Sequence, residues 1–338
     1  MSEINLFGEN ILITGSAGFI GSALTQKLLS EGFNVIGIDN LNEYYDVNLK
    51  LSRLETLKKY NNFKFIKCDI SDKILTQNIF NEINPFIVVN LAAQAGVRYS
   101  IENPDAYINS NIMGFYNILE ACRHSKNLRH LIFASSSSVY GADSKIPFST
   151  SDMTDHPVSL YAATKKSNEL LAYAYNNLYK IQMTGLRFFT VYGPSGRPDM
   201  AYFKFADKLI SGKKIQIFNY GNCERDFTYI DDIVNGIFLV MKHQPENFKI
   251  YNIGRGKPEN LMEFVKILCD EMLNANLLDE NFNLNDHIEL LPMQAGDVPI
   301  TYADTSELEK NFNFKPKINL CEGLKNFVKW YADYYRSK

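Results

Sequence analysis

Residues 10–24, NILITGSAGFIGSAL, decide the fold. The run 10–15 is short, apolar and rich in isoleucine, as a buried strand is. From 19 to 31 the pattern turns helical. Three glycines, Gly15, Gly18 and Gly21, mark the junction. Gly15 lets the chain turn sharply. Gly18 has no side chain to block a pyrophosphate. Gly21 lets the helix approach the sheet. The first turn of the helix then offers free N–H groups to phosphate oxygens. The spacing is GxxGxxG rather than GxGxxG, so its weight comes from its place between a strand and a helix.

The same alternation runs outward from this stretch. NVIGID (34–39), FKFIKCD (63–69), FIVVNLA (86–92), HLIFASSS (130–137) and QMTGLRFF (182–189) read as further strands. Helical stretches fall at about 50–60, 73–83, 106–124 and 158–179. Apolar strands alternating with helices predict an α/β fold: a doubly wound, Rossmann-type parallel sheet covered on both faces. Asp39 ends the second strand, 18 residues past Gly21. A carboxylate there accepts from adenosine ribose hydroxyls and repels a 2′-phosphate, and NLNEYYD (40–46) supplies no arginine. NAD is therefore expected rather than NADP. Asp69 ends the third strand, where it would meet the adenine or cap the strand end.

Beyond about residue 187 the pattern loosens. Strands are predicted at IQIF (215–218), KIYNIG (249–254) and HIELLP (287–292), with helices near 199–211, 231–242, 260–273 and 321–336. The expected division is a cofactor-binding domain over 1–187, to which about 228–256 returns. A smaller C-terminal α/β substrate-binding domain would cover 188–227 and 257–338. Trp330 and the tyrosines of the last helix read as packing.

Composition narrows the function. Apolar residues are 46% of the 338, enough for a sizeable core, and the net charge is −3 with no basic block. Neither nucleic acid nor an anionic membrane is the expected partner. The N-terminal stretch has no basic segment followed by a long apolar run, and no apolar stretch approaches membrane-spanning length. Cys68, Cys122, Cys223, Cys269 and Cys321 are scattered, without CxxC. Free thiols in a reducing cytoplasm are expected, and no metal site.

Chemistry enters at SLYAATKKSNEL (159–170), where Lys165 follows Tyr161 by four residues. On a helix the two share a face. Bringing a phenol from about 10 towards 7 takes roughly 4 kcal/mol in favour of the phenolate. A cation about 4 Å away, at an effective dielectric near 20, supplies about that much. An oxidised nicotinamide ring would be a second positive charge. Tyr161 can then act as a base, and as an acid in reverse. FASSSSVYG (133–141) ends the fifth strand, at the edge where ligands of such folds sit. Ser136 is the expected hydroxyl partner, with Ser137 and Ser138 facing the substrate.

This constellation resembles the extended short-chain dehydrogenase/reductase family, the NAD-dependent sugar-nucleotide epimerases and dehydratases. The matching residues are the glycine turn, Asp39, NLAAQAGV (90–97), Ser136 and the Tyr161/Lys165 pair. The resemblance implies Tyr161 as acid/base, Lys165 on the nicotinamide ribose and Ser136 assisting. It also implies cofactor contacts from Phe19, Ile20, Asn40, Ile70, Leu91, Ala92, Ala93 and Asn111. NAD would be tightly held and recycled. A homodimer through the helices at 106–124 and 158–179 is implied too, as is a role in polysaccharide precursor supply.

Within the family, AAQAGVRYSIENPDAYINSN (92–111), RFFTVYGPSGRPDMA (187–201) and RDFTYIDDIVNG (225–236) are similar to the UDP-glucuronate 4-epimerase group. That likeness implies a UDP-sugar substrate. Arg225 would hold its diphosphate, and the segment carrying Gln216 and Phe218 would line the uracil. Thr190 and Arg197 would meet the sugar carboxylate. Arg98 would be a further substrate contact on the same ground, and Asp297 would touch the ribose or shape the turn. Arginine suits a uronate because it grips a carboxylate with two parallel bonds. Two departures bear on the choice. Ser137 and Ser138 stand where dehydratase-like and decarboxylase-like sites are expected to carry acids. Met293 and Gln294 stand where neutral-hexose epimerases are expected to carry a phosphate-binding arginine. Epimerisation of a neutral or N-acetylated UDP-hexose, and decarboxylation of the uronate, are the alternatives.

Overall fold

The computed structural model of the chain describes residues 3–142, 145–243, 247–293 and 298–336. Six strands form where the apolar runs predict them: β1 (Asn10–Thr14), β2 (Asn34–Asp39), β3 (Phe63–Lys67), β4 (Ile87–Asn90), β5 (His130–Ser136) and β6 (Met183–Phe188). A seventh strand, Phe248–Ile253, pairs with β6 at the edge. The order is Phe248–Ile253, β6, β5, β4, β1, β2, β3. Every neighbouring pair is parallel. Parallel strands need crossovers, and the crossover helices bury both faces. Accordingly β4 and β6 are buried throughout. Two of their polar members pair within the sheet: Asn90 Oδ1 accepts from Thr14 Oγ1 at 2.7 Å, and Thr184 Oγ1 meets His130 Nε2 at 2.9 Å.

β1 lies between β2 and β4, with Thr14 opposite both Ile38 and Asn90. The winding reverses there. The crevice above the carboxyl ends of β1 and β4 is the ligand position of a doubly wound sheet.

Helix α1 (Phe19–Ser30) follows the glycine turn, α2 (Val47–Leu57) follows β2, and α3 (Lys73–Ile83) follows β3. The helix expected over 106–124 is not continuous. It begins as two short turns, Tyr99–Glu102 and Pro104–Tyr107, and passes through a π-helical turn, Ile108–Met113, before Gly114–His124. Asn103 accepts from Ala106 N as a cap, and Pro104 occupies the first position of the second turn. The widened turn carries Asn111, whose amide is held by Gln94 and Thr164. Helix Leu160–Tyr179 covers β5 and β6 and starts at a Ser159 cap on Ala162 N, 3.1 Å.

The later elements arise close to their expected places: helices Ala201–Ile210, Ile230–Lys242, Leu261–Asn274 and Leu320–Arg336, and strands Ile215–Ile217 and Ile288–Leu290. Helix Ile230–Lys242 lies against α1, with Phe238 5.9 Å from Phe33 and Lys27 over its ring. One apolar core runs from Leu24 and Leu28 of α1 through Ile233 and Ile237 to Phe203, Phe264 and Phe327. Trp330 packs on Phe203 and Tyr334 in the same layer, as expected. A second cluster fills the other face between the sheet and helices α3 and Gly114–His124. Among the described residues no helix is long and apolar enough to cross a membrane.

Candidate active site

The glycine turn is built as its spacing requires. Gly15 has φ +71, and a Cβ there would lie 2.8 Å from Ala92 N. At Gly21 a Cβ would fall 2.0 Å from the Gly15 carbonyl, so α1 docks directly on the turn. Gly18 is the N-cap of α1 and supplies no side-chain cap. The caps of α2, α3 and helix Leu160–Tyr179 do: Asp46, Asp72 and Ser159. The first-turn amides of α1 are thus left for a ligand. They border a cleft of ≈ 440 Å³ that Gly15, Gly18, Phe19, Ile20, Gly21, Asp39, Asn40, Asp69, Ile70, Leu91, Ala92 and Ala93 also line. These residues fit a dinucleotide.

Asp39 faces this cleft while accepting from Ala17 N (3.1 Å) and Leu41 N (2.8 Å), so it also locks the glycine turn to the end of β2. Asp69 borders the cleft and is held by Asn40 Nδ2 (2.8 Å) and by Ser71 N and Oγ (2.9 and 2.7 Å). Burial works against its charge, but these hydrogen bonds prevail and keep it below the usual carboxylate range. Asp69 thus closes the turn after β3 while bordering the cleft.

Asn111 is bonded to the protein on both sides of its amide. It is buried and does not line the cleft. Its Oδ1 accepts from Gln94 N, and its Nδ2 donates to Gln94 O and Thr164 Oγ1. Its amide is spent on tying the cleft wall to the tyrosine helix.

Ser136, Tyr161 and Lys165 meet in the cleft. Ser136 Oγ accepts from Ser138 N (3.2 Å) and donates to Ser138 Oγ (3.1 Å), at the head of a 3-10 turn, Ser137–Tyr140. Ser137 and Ser138 face the cleft as expected, whereas Ser135 also donates to buried Glu169. Glu169 in turn holds Arg187 through two 2.8 Å bonds. The serine run therefore serves both the cleft and an ion pair beneath it.

The electrostatics correct one expectation. Lys165 does not direct its ammonium at the phenol; Nζ donates to the Ala134 carbonyl at 2.8 Å. Burial brings it down to about 8, opposed by Glu169 one turn further along the helix. Burial also dominates at Tyr161, whose phenol sits above its ordinary value despite the Ser136 hydrogen bond and the Arg197 charge; Asp199 adds to the rise. Among the groups acting on this phenol, burial outweighs the two that favour its ionisation.

Thr190 and Arg197 share the cleft with Tyr161. Arg197 Nε and Nη2 already grip Asp199, at 2.9 and 2.7 Å, and Tyr44 donates to the same carboxylate at 3.2 Å. Tyr44 and Asp199 were not foreseen, although the short Arg-Pro-Asp spacing was there to be read.

Arg98, Gln216, Phe218 and Arg225 do not border this cleft. Arg98 stacks over the Phe218 ring at 5.2 Å. Gln216 is exposed and donates to Glu289 across the paired strands Ile215–Ile217 and Ile288–Leu290. Arg225 Nη1 donates to the carbonyls of Glu224 and Pro299, both at 2.9 Å. Behind it, buried Asp226 accepts from Thr228 Oγ1 and from the amides of Arg255, Gly256 and Ala303, joining three segments. Asp297 and Gln294 lie outside the described residues; Met293 is partly exposed.

A dinucleotide crevice continuous with a Ser/Tyr/Lys constellation at the end of β5 defines an oxidoreductase-type site of the short-chain dehydrogenase kind. A family model described as the NAD dependent epimerase/dehydratase family matches residues 11–254, and the chain belongs to that family. The chain is 50% identical to Protein CapI of Staphylococcus aureus, over 96% of this chain and 99% of the relative. It is 45% identical to UDP-glucuronate 4-epimerase 2 of Arabidopsis thaliana, over 97% and 77%. The solved UDP-glucuronic acid 4-epimerase of Bacillus cereus, in complex with UDP-glucuronic acid and NAD, superposes with TM-score 0.87 at 32% identity, over 96% of this chain and 100% of that one.

Proposed function

We propose that this chain is an NAD-dependent 4-epimerase interconverting UDP-glucuronate and UDP-galacturonate. The observation that carries the reading is that one cleft joins the glycine turn, the Ser136/Tyr161/Lys165 group and the Thr190/Arg197 pair. Relatives named for this activity support it.

NAD⁺, when bound beside Tyr161, supplies the acceptor for the hydrogen and electron pair of sugar C4 and returns them to either face. Tyr161, as phenolate, takes the C4 hydroxyl proton while Ser136 hydrogen-bonds that oxygen. The resulting 4-keto sugar turns about its diphosphate link and presents its other face. Tyr161 gives the proton back, and C4 is inverted. Lys165 would hold the cofactor's nicotinamide ribose. Thr190, Arg197, Ser137 and Ser138 hold the sugar carboxylate away from the perpendicular geometry in which a β-keto acid loses CO2. Arg197→Ala and Thr190→Ala are expected to raise the UDP-pentose fraction; an unchanged product ratio in both variants would remove that role. Arg225, Arg98, Phe218 and Gln216 belong to the nucleotide end.

The division into 1–187 with 228–256, and 188–227 with 257–338, is part of this reading. Its support is the return of strand Phe248–Ile253 to the sheet. So is a homodimer: Ile108 and Met113 near one helix, and Leu170, Tyr173 and Leu178 on the other, leave apolar surface exposed. A cytoplasmic setting agrees with five free cysteines, four of them buried.

The deciding experiment is proton NMR of the protein with UDP-glucuronate, with and without added NAD. Growth of UDP-galacturonate signals is expected. UDP-xylose or UDP-arabinose as the main product would make the chain a decarboxylase. No change in either sample would point to uncharged or N-acetylated UDP-hexoses.

A further inference from the structure

Lys50 is a cation without a counter-ion at hydrogen-bond distance. It is 4% exposed and lines the cleft. Its Nζ donates to two neutral oxygens, the carbonyl and Oδ1 of Asn42, both at 2.6 Å. The ring of Tyr45 lies 4.6 Å beneath it. Asp39 acts on it through space, but its oxygens accept from the amides of Ala17 and Leu41. Among the described residues no carboxylate forms an ion pair with Lys50. Burying an ammonium on such terms is costly unless an anion shares the site, and burial does lower its proton affinity.

The fold says where that anion would lie. Arg53 is one turn further along α2, on the same face as Lys50. It binds the glycine turn through Nη1 to the Ala17 carbonyl at 2.9 Å, and the 195–196 segment through Nη2 to the carbonyls of Ser195 and Gly196. Arg53 is thereby consumed as a brace. Lys50 stands beside the brace, at the cleft wall next to the turn whose first-helix amides are uncapped.

We infer that Lys50 is a cofactor-binding residue whose ammonium takes the diphosphate of the dinucleotide, opposite the α1 amides. On binding, Nζ exchanges an Asn42 oxygen for a phosphate oxygen. Nothing in the sequence marks this position, because Lys50 lies beyond NLNEYYD (40–46), on the charged face of the helix that follows. The inference rests on the NAD reading of the cleft.

Calorimetric titration of the full chain tests it, with Lys50→Met and Lys50→Gln beside the parent. The ligands are NAD⁺, ADP-ribose, adenosine and UDP. A charge-assisted contact corresponds to about a 10- to 100-fold loss of affinity. That loss is expected for NAD⁺ and ADP-ribose in both variants, with a flatter salt dependence. Adenosine and UDP affinities should stay within about twofold. ADP-ribose bound as tightly by either folded variant as by the parent would overturn the inference. So would an equal loss for adenosine, which would make Lys50 a support of the loop, and so would a loss confined to UDP, which would place it on the substrate diphosphate. Failure of the parent to bind NAD⁺ at all would instead refute the cofactor reading.

Discussion

Lys165→Met should stabilise the fold while ending turnover. Lys165 is 3% exposed, and burial takes it from 10.5 to about 8. At about 1.4 kcal/mol per pH unit, keeping that ammonium charged at neutral pH costs about 3 kcal/mol. Methionine fills nearly the same volume without the charge. Against this gain, the Ala134 carbonyl loses its donor, which costs about 1–2 kcal/mol. The net expectation is about 1–2 kcal/mol of added stability near pH 7. The sign has a pH signature. Between about 8 and 10.5 the unfolded chain binds more protons at Lys165 than the folded one, so parent stability rises with pH across that window. The variant lacks this rise. The gap between them is therefore widest below about pH 8 and closes above it. Urea unfolding of both proteins over this range reads it directly, at matched NAD occupancy because bound cofactor adds its own stability. A variant less stable than the parent at pH 7, or a gap that fails to narrow above pH 8, would refute the reasoning.

Gly21→Ala places a methyl 2.0 Å from the Gly15 carbonyl and should cost at least about 2 kcal/mol, lowering Tm by several degrees. Gly18→Ala meets the same oxygen at 3.0 Å, so Tm should hold while NAD affinity falls; scanning fluorimetry with and without NAD separates the two. Asp199→Asn removes a charge that helps hold the Tyr161 phenol up, so the acid limb of the kcat/KM profile should move to lower pH. An unmoved limb in a folded variant would count against coupling between Asp199 and the tyrosine.

The sheet and the glycine turn were legible because parallel strands buried on both faces leave uninterrupted apolar runs, and because the positive φ of Gly15 and the contact of Gly21 with the Gly15 carbonyl are local to the turn. Tyr161 and Lys165 were legible as a pair from helical periodicity. Their electrostatics were not, since the Ala134 carbonyl that draws Lys165 aside comes from a strand 31 residues away. The partners of Asn111 were hidden for a similar reason. A π-helical turn and a bond to Thr164, 53 residues on, turn its amide away from the cleft. Lys50 and Arg53 look like an ordinary charged helix face until α2 is docked against the glycine turn.

The core that passes unbroken from α1 through helix Ile230–Lys242 to Phe264 and Phe327 has a consequence for engineering. The substrate-facing part cannot be treated as an exchangeable module. A chimera that replaced residues from 188 onward would have to reproduce the side chains facing Leu24, Leu28 and Phe33, or leave cavities at the junction. Altered sugar preference is better sought in cleft-lining side chains such as Ser137, Ser138 and Thr190, which lie outside that core.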